Sequence, residues 1–176
     1  MQEFSFTDFP ELTTERLDLR QLTFDDKKAI FRLRSNIEVN EFIKRETPKN
    51  LNQAEGFIQV CLDEFENENR IFWAMTQKDS NQLIGTIVLH KIDIENGYAE
   101  IGYEMNPDYQ DDGYMSEAMN KVLDFGITTM DLKTIEAFTH HNNTASIALL
   151  EKYLFVLQPE RKCEEVEDNR IYKFGI

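Results

Sequence analysis

Three strand-like segments follow one another in the middle of the chain, and only short polar turns separate them. Residues 71–75, 83–89 and 98–105 are rich in β-branched and aromatic side chains. Pro107 ends the third segment, because proline donates no hydrogen bond to a strand ladder. Strands joined by turns this short pair with antiparallel neighbours. The sequence therefore predicts an antiparallel meander within a larger sheet.

Helical and strand-like segments flank this meander on both sides. Residues 16–20 alternate apolar and charged side chains, which predicts a half-buried strand. The other expected elements are helices over 24–36, from Asn52 to about 65, over 113–129 and over 144–153, and strands over 134–138 and near 154–158, 161–167 and 170–175. This mixed order predicts an α+β (mixed α/β) fold, with a mostly antiparallel sheet of six or seven strands and about four helices.

Length and charge limit the functions that are open to the chain. Its 176 residues suit a single domain over residues 1–176, in which residues 1–12 form a loosely attached lead-in. The formal net charge of −14 gives an acidic surface that repels phosphate backbones and attracts protonated amines. We therefore expect no nucleic-acid partner.

The sequence carries few signals for membrane insertion, secretion or metal binding. No apolar run approaches the roughly 18 residues of a membrane span, and residues 1–4 do not resemble a secretion signal. Cys61 and Cys163 form no CxxC pair, which favours free thiols, although a disulfide between them is an alternative. The three histidines have no metal-ligand spacing. These features predict a cytoplasmic protein without membrane contact or a metal. The expected assembly is a monomer or a homodimer, a choice that the sequence does not decide.

The segment over residues 106–118 is the strongest candidate for a binding site. A strand ends there in a tight loop, and a helix begins directly after Gly113. The unpaired amides at the start of such a helix, aided by the helix dipole, suit a pyrophosphate. Glycine at this point allows close backbone approach or an unusual dihedral angle.

Four segments in the same order resemble the GNAT superfamily of acyl-CoA-dependent N-acetyltransferases, in particular its RimJ/RimL-like branch. They are residues 14–20, the pair Ile84-Gly85, residues 100–105 with Pro107, and residues 143–152. The resemblance implies a mixed sheet that is splayed between its fourth and fifth strands, with acetyl-CoA in the cleft. It also implies acetyl transfer to a primary amine, either a protein N-terminus or a small molecule, by direct attack in a ternary complex.

The resemblance also assigns the residues that bind the cofactor. Residues 110–115 resemble the family's phosphate loop, in which backbone amides surround the pyrophosphate. Met105 would pair with the pantetheine amides, and Asn143 would contact the cofactor arm. The residues expected to bind acetyl-CoA are Met105, Gln110, Asp112, Gly113, Tyr114, Met115, Ser116 and Asn143.

The loop departs from the family pattern in its charge. It reads Asp111-Asp112-Gly113 where the RimJ/RimL-like branch has Gly-Lys-Gly, and the usual Leu-Gly-Phe near residue 154 is Tyr-Leu-Phe. Each aspartate repels phosphate, and its carboxylate is also able to cap the free amides. A catalytically degenerate binding module with weakened or lost CoA binding is therefore an alternative. An amine-binding regulator that exploits the acidic surface is another.

The resemblance identifies the catalytic residues less clearly than the residues that bind the cofactor. Family members often carry a catalytic glutamate in the strand over 98–105, which points to Glu100 as the base. Glu104 lies on the same face of that strand, and a solvated surface position explains one of the two glutamates equally well. The tyrosine that acts as an acid in many relatives is Leu150 here. The RimJ/RimL-like branch points instead to Ser146, which also suits a purely structural role at the start of its helix; Tyr153 is a further candidate.

Overall fold

The computed structural model describes residues 4–175 and folds them around one mixed sheet. The described strands are β1 (Leu12–Thr13), β2 (Leu17–Gln21), β3 (Arg70–Gln77), β4 (Leu83–Asp93), β5 (Tyr98–Met105), β6 (Thr134–His140), β7 (Val156–Leu157) and β8 (Asn169–Gly175). The α-helices are α1 (Lys27–Ser35), α2 (Leu51–Glu66), α3 (Tyr114–Thr128) and α4 (Thr144–Lys152). The strand order is β1-β2-β3-β4-β5-β6-β8-β7. The predicted α+β class is confirmed, with eight strands rather than six or seven in the described residues.

The sheet opens at its single parallel pairing. Strands β3, β4 and β5 form the expected antiparallel meander. Residues 98–101 of β5 pair in parallel with residues 134–137 of β6, and the ladder ends there. Residues 102–105 keep their pairing with β4, but within residues 4–175 they have no strand partner on the β6 side. This splay leaves backbone groups of β5 free on one edge and opens a cleft between the two strands.

Alternating side chains of the strands form two cores, one on each face of the sheet. In β3, Trp73 and Met75 point into the core that is covered by α3, whereas Phe72 and Ala74 join the core beneath α1 and α2. This division follows from the period of two along a strand. Among the described residues, no helix is long and apolar enough to cross a membrane.

The first described residues pack tightly onto the core, in contrast to the loose lead-in that was expected. Phe4 lies edge-on to Phe125 with ring centroids 5.6 Å apart, and Phe9 lies edge-on to Trp73 at 6.2 Å. The indole Nε1 of Trp73 donates a hydrogen bond of 2.7 Å to the carbonyl oxygen of Pro10. Buried aromatic area and a satisfied indole N–H therefore attach this segment to the sheet.

Several predicted elements also differ from those observed. Helix α2 begins at Leu51 rather than at Asn52, because the side chain of Asn50 caps it by accepting from the Gln53 amide. Residues 24–26 form a 3₁₀ turn that precedes α1. The strand predicted over 161–167 is wrong: this acidic segment is an irregular connection between β7 and β8.

Candidate active site

A cavity of about 620 Å³ lies in the cleft between the splayed halves of β5 and β6. The end of β5, the segment leading into α3, the end of β6, the start of α4 and part of the connection between α1 and α2 line it. Seven of the eight residues predicted to bind the cofactor belong to this lining: Met105, Gln110, Gly113, Tyr114, Met115, Ser116 and Asn143. The eighth, Asp112, lies outside it.

The loop before α3 presents an open helix N-terminus to the cavity. Gly113 precedes the first helical residue with φ of 81° and ψ of 3°, in the left-handed region that glycine adopts without strain. Gln110 holds the loop against β5, because its Nε2 donates a hydrogen bond of 3.1 Å to the carbonyl oxygen of Met105. The N-terminal amides of a helix have no intrahelical partner, and in the described residues no side chain caps α3 at Gly113. These amides are therefore available to an anion.

The two loop aspartates leave those amides free. Asp111 has φ of 64° and is exposed at the cavity, and Asp112 is exposed but is not part of the lining. Neither carboxylate caps α3, although capping was one of the ways in which they were expected to compete with phosphate. Their remaining influence on an anion is electrostatic repulsion.

Arg16, which directly precedes β2, braces the loop through its side chain, a role that its sequence position did not indicate. Its Nη1 donates a hydrogen bond of 3.0 Å to the carbonyl oxygen of Asp112, and its Nε donates one of 2.8 Å to Glu117 in the first turn of α3. The guanidinium also lies 4.2 Å from the centroid of the Tyr114 ring, a cation–π distance. Arg16 therefore joins β2 to both the loop and the helix that follows it.

Glu117 anchors this brace. One carboxylate oxygen accepts from the Thr14 hydroxyl and from the Arg16 amide at 2.8 Å, and the other accepts from Arg16 Nε. Burial opposes ionisation, but the hydrogen bonds from Thr14 and Arg16 outweigh it and lower the pKa of Glu117. The carboxylate therefore remains charged well into the acidic range.

The structure does not bring Glu100 to the cavity. Its buried carboxylate lies 3.1 Å from Lys91 Nζ and 3.2 Å from the Tyr98 hydroxyl. Glu100 lies in the part of β5 that is still paired with β6, at Glu136, so the neighbouring strand separates it from the cleft. The glutamate of this strand that lines the cavity is Glu104, beyond the splay.

Glu104 is buried and lies between two arginines. Arg45 forms an ion pair with one of its oxygens, and Arg34 Nη1 lies 3.6 Å from the other. Burial lowers the pKa of Arg34, and the nearby charge of Glu104 opposes that shift. Because Arg45 belongs to the connection between α1 and α2, this ion pair ties one wall of the cavity to β5.

A second hydroxyl lies beside the predicted acid, Ser146. Its Oγ is 2.8 Å from the Tyr103 hydroxyl, and both residues line the cavity. Burial raises the pKa of Tyr103 to about 12, and the hydrogen bond with Ser146 acts in the opposite direction. The Ser146 amide donates to the side-chain oxygen of Asn143, so Asn143 also caps α4. Sequence reasoning missed Tyr103 because alternation places it on the face opposite Glu104.

The alternative acid candidates are placed differently. Leu150 lines the cavity but carries no proton to donate. The Tyr153 hydroxyl donates a hydrogen bond of 2.6 Å to the carbonyl oxygen of Ser116 and lies 2.9 Å from the Ser116 hydroxyl. Tyr153 therefore joins α4 to the first turn of α3 and lies outside the cavity lining.

Two histidines and an aspartate meet at the end of β6. Single ligand atoms of His140, His141 and Asp168 lie within 4.8 Å of one another, a grouping that sequence spacing did not indicate. Nδ1 of His140 accepts a hydrogen bond of 3.1 Å from the Asn142 amide, so the neutral ring carries its proton on Nε2, which faces Asp168 at 4.0 Å. This tautomer suits a hydrogen-bonding role and opposes metal ligation through Nε2.

Known proteins resemble this chain in sequence and in architecture. The family model described as an acetyltransferase (GNAT) domain matches residues 16–156. The N-acetyltransferase YoaA of Bacillus subtilis (strain 168) is 37% identical over 147 residues, which cover 84% of this chain and 83% of the relative. A GNAT-family acetyltransferase from Bacillus anthracis superposes with a TM-score of 0.77 at 26% identity, covering 94% of this chain and 98% of the other. RimL, a ribosomal L7/L12 α-N-protein acetyltransferase solved with coenzyme A, superposes with a TM-score of 0.78 at 17% identity, covering 96% and 98%.

Proposed function

Because the chain belongs to the GNAT family of acetyltransferases, we propose that it transfers the acetyl group of acetyl-CoA to a primary amine, by direct attack in a ternary complex. One observation carries this proposal: the uncapped N-terminus of α3 opens onto the cavity at the splay between β5 and β6. The amine is a protein N-terminus or a small molecule.

The described residues fit the cofactor at both ends of the cavity. The amides of residues 113–116 and the dipole of α3 suit the pyrophosphate. The unpaired edge of residues 102–105 offers backbone groups to the pantetheine amides, in place of the missing β6 partner. Met105 stands where these two regions meet. When bound, acetyl-CoA supplies the activated acetyl group as a thioester.

The acidic lining favours a cationic acceptor. Glu38, Glu41, Glu104 and Asp111 all line the cavity, and among the described lining residues none is a lysine or an arginine. The ion pair with Arg45 offsets the charge of Glu104, so the acidic character of the lining comes from the other three. Such a lining raises the local concentration of ammonium groups and disfavours anionic acceptors. An α-amino group with a pKa of about 8 is roughly 10% neutral at pH 7, so it needs only a mild base. We assign that role to the carboxylate of Glu104 rather than to Glu100, because Glu104 is the one that faces the cavity.

Tyr103 and Ser146 form the proton donor in this scheme. The leaving thiolate requires a proton, and the Tyr103 hydroxyl is protonated at neutral pH. Burial raises the pKa of Tyr103 to about 12 and so weakens it as an acid, whereas the hydrogen bond with Ser146 acts in the opposite direction. The hydrogen bond of 2.8 Å between the two hydroxyls allows Ser146 and Tyr103 to pass a proton between them.

Thiol release tests the proposed activity. Acetyl-CoA is incubated with N-terminal peptides and small amines, and free CoA thiol is detected. We expect Tyr103→Phe to lower the rate about a hundredfold, within the range for loss of a general acid, while Tyr98→Phe, a hydroxyl deletion away from the cavity, has little effect. Absence of thiol release with every acceptor would contradict catalysis.

Asp111 and Asp112 favour a second candidate, a non-catalytic module that keeps the fold. Thermal unfolding with CoA separates the two candidates. Ligand at 100 times its Kd stabilises the protein by about 2.7 kcal/mol, which raises Tm by roughly 5–10 °C for a chain of this size. A module that has lost CoA binding shows no shift.

A further inference from the structure

The loop that faces the cofactor phosphates in the proposed function carries no positive charge of its own. Residues 110–113 contribute two aspartates and no basic side chain. An anion held there must therefore obtain its counter-charge from other segments of the fold. Two basic side chains, Arg16 and Lys152, reach the loop or the first turn of α3 through hydrogen bonds.

The guanidinium of Arg16 already interacts with groups of the protein itself. Its Nε forms an ion pair of 2.8 Å with Glu117, and its Nη1 bonds the carbonyl oxygen of Asp112. Because Glu117 neutralises it, Arg16 fixes the shape of the loop and adds little net positive charge. We therefore treat Arg16 as a positioning residue.

Lys152 differs from Arg16 because its charge is not neutralised by a carboxylate of the described residues. It is the last residue of α4, and its Nζ donates a hydrogen bond of 2.6 Å to the hydroxyl of Ser116, which lines the cavity. Within residues 4–175, no carboxylate lies at ion-pair distance from this ammonium group, which is exposed. The ammonium retains two further N–H donors and its full charge.

The position of Lys152 is set by the contact between α3 and α4. Tyr153, the residue that follows Lys152, donates from its hydroxyl to the carbonyl oxygen of Ser116 and lies 2.9 Å from the Ser116 hydroxyl. These bonds hold the end of α4 against the first turn of α3. The ammonium of Lys152 is thereby kept at the first turn of α3, in contact with the lining residue Ser116, although Lys152 itself is not among the residues that line the cavity.

We propose that Lys152 is a phosphate ligand of the bound coenzyme and supplies, from α4, the positive charge that the loop lacks. This inference rests on the proposed function, since it concerns the same cofactor. The shared chemistry is a phosphate monoester or diphosphate, so either the pyrophosphate or the 3′-phosphate of the coenzyme is the group contacted.

Calorimetric titration of the full chain with CoA tests this assignment. Lys152→Gln keeps a donor for Ser116 but removes the charge, and we expect Kd for CoA to rise about tenfold, as for the loss of a charged hydrogen bond. The dependence of Kd on salt should also weaken, because one screened charge pair is lost. Lys152→Arg should restore most of the affinity. Lys28→Gln is the matched control: it makes the same charge change at an exposed lysine of α1, on the opposite face of the sheet.

Titration with 3′-dephospho-CoA separates the two phosphate groups. If the Lys152→Gln loss persists with this ligand, the contact is with the pyrophosphate; if it disappears, the contact is with the 3′-phosphate. Equal Kd values for Lys152→Gln and Lys28→Gln would overturn the assignment while the proposed function stands. Failure of the unmodified chain to bind CoA would overturn both.

Discussion

The brace between Glu117 and Arg16 predicts a measurable loss of stability when its charge is removed. Glu117→Gln keeps one oxygen to accept from Thr14 and the Arg16 amide but places an NH₂ group against Arg16 Nε. The ion pair is lost, and two hydrogen bonds to a charged acceptor become bonds to a neutral one.

The structure limits the size of this effect. The side chains of Arg16 and Glu117 are 41% and 19% exposed, so the ion pair itself contributes no more than about 1 kcal/mol. Weakening of the bonds from Thr14 and the Arg16 amide adds about as much again. We therefore expect the free energy of unfolding to fall by about 2 kcal/mol, which lowers Tm by roughly 4–8 °C for a chain of this length.

Thermal unfolding followed by circular dichroism measures this change. Glu55→Gln is the matched control, because it makes the same substitution in the Lys27–Glu55 ion pair, whose side chains are 39% and 44% exposed. That variant should lose less than about 1 kcal/mol. The folded-state pKa of Glu117 is lowered, so its contribution is present above the unfolded pKa of about 4.3 and disappears as the pH falls further. Equal Tm shifts for the two variants at pH 7 would contradict the claim that the contacts of Glu117 stabilise the fold more than an exposed ion pair does.

Three further predictions concern glycine, histidine and the loop aspartates. Gly56→Ala should stabilise the chain by about 0.5–1 kcal/mol in urea denaturation, because a Cβ there meets nothing within 4 Å, whereas Gly113→Ala, at φ of 81°, should destabilise it by about 1–2 kcal/mol and weaken CoA binding. Burial lowers the pKa of His90 to about 4, so the unfolded chain binds a proton that the folded chain does not; stability should fall as the pH drops from about 6.5 to 4, and His90→Gln should flatten that slope. Asp111→Gly combined with Asp112→Lys should lower Kd for CoA about tenfold in calorimetry; unchanged affinity would mean that the loop does not meet the phosphates.

Local patterns in the sequence were sufficient to predict the meander of β3, β4 and β5 and the strand–loop–helix junction that leads into α3. The three strands between residues 70 and 105 carry their own alternation and turns, so neighbouring residues determine their pairing. The junction is local as well, since a proline, a glycine and a helical period lie within twelve residues of one another. The family resemblance rested on such segments, and the chain's membership of the GNAT family confirms it.

Contacts between segments that are distant in the sequence could not be predicted from local patterns. Arg16 meets Glu117 across 101 positions, and no local pattern distinguishes that arginine from any other exposed basic residue. The choice between Glu100 and Glu104 depends on where β6 leaves β5, a property of the whole sheet rather than of either glutamate. The pairing of Tyr103 with Ser146 depends on how α4 packs over the cleft.

The bond between Pro10 and Trp73 gives the protein an internal fluorescent reporter. Trp73 is the single tryptophan of the chain, it is 0% exposed, and its indole nitrogen is held by the first described segment. Indole emission is sensitive to hydration of the ring, so release of that segment changes the spectrum even while the sheet remains intact. Stopped-flow fluorescence would therefore time this detachment separately from global unfolding, without any added label.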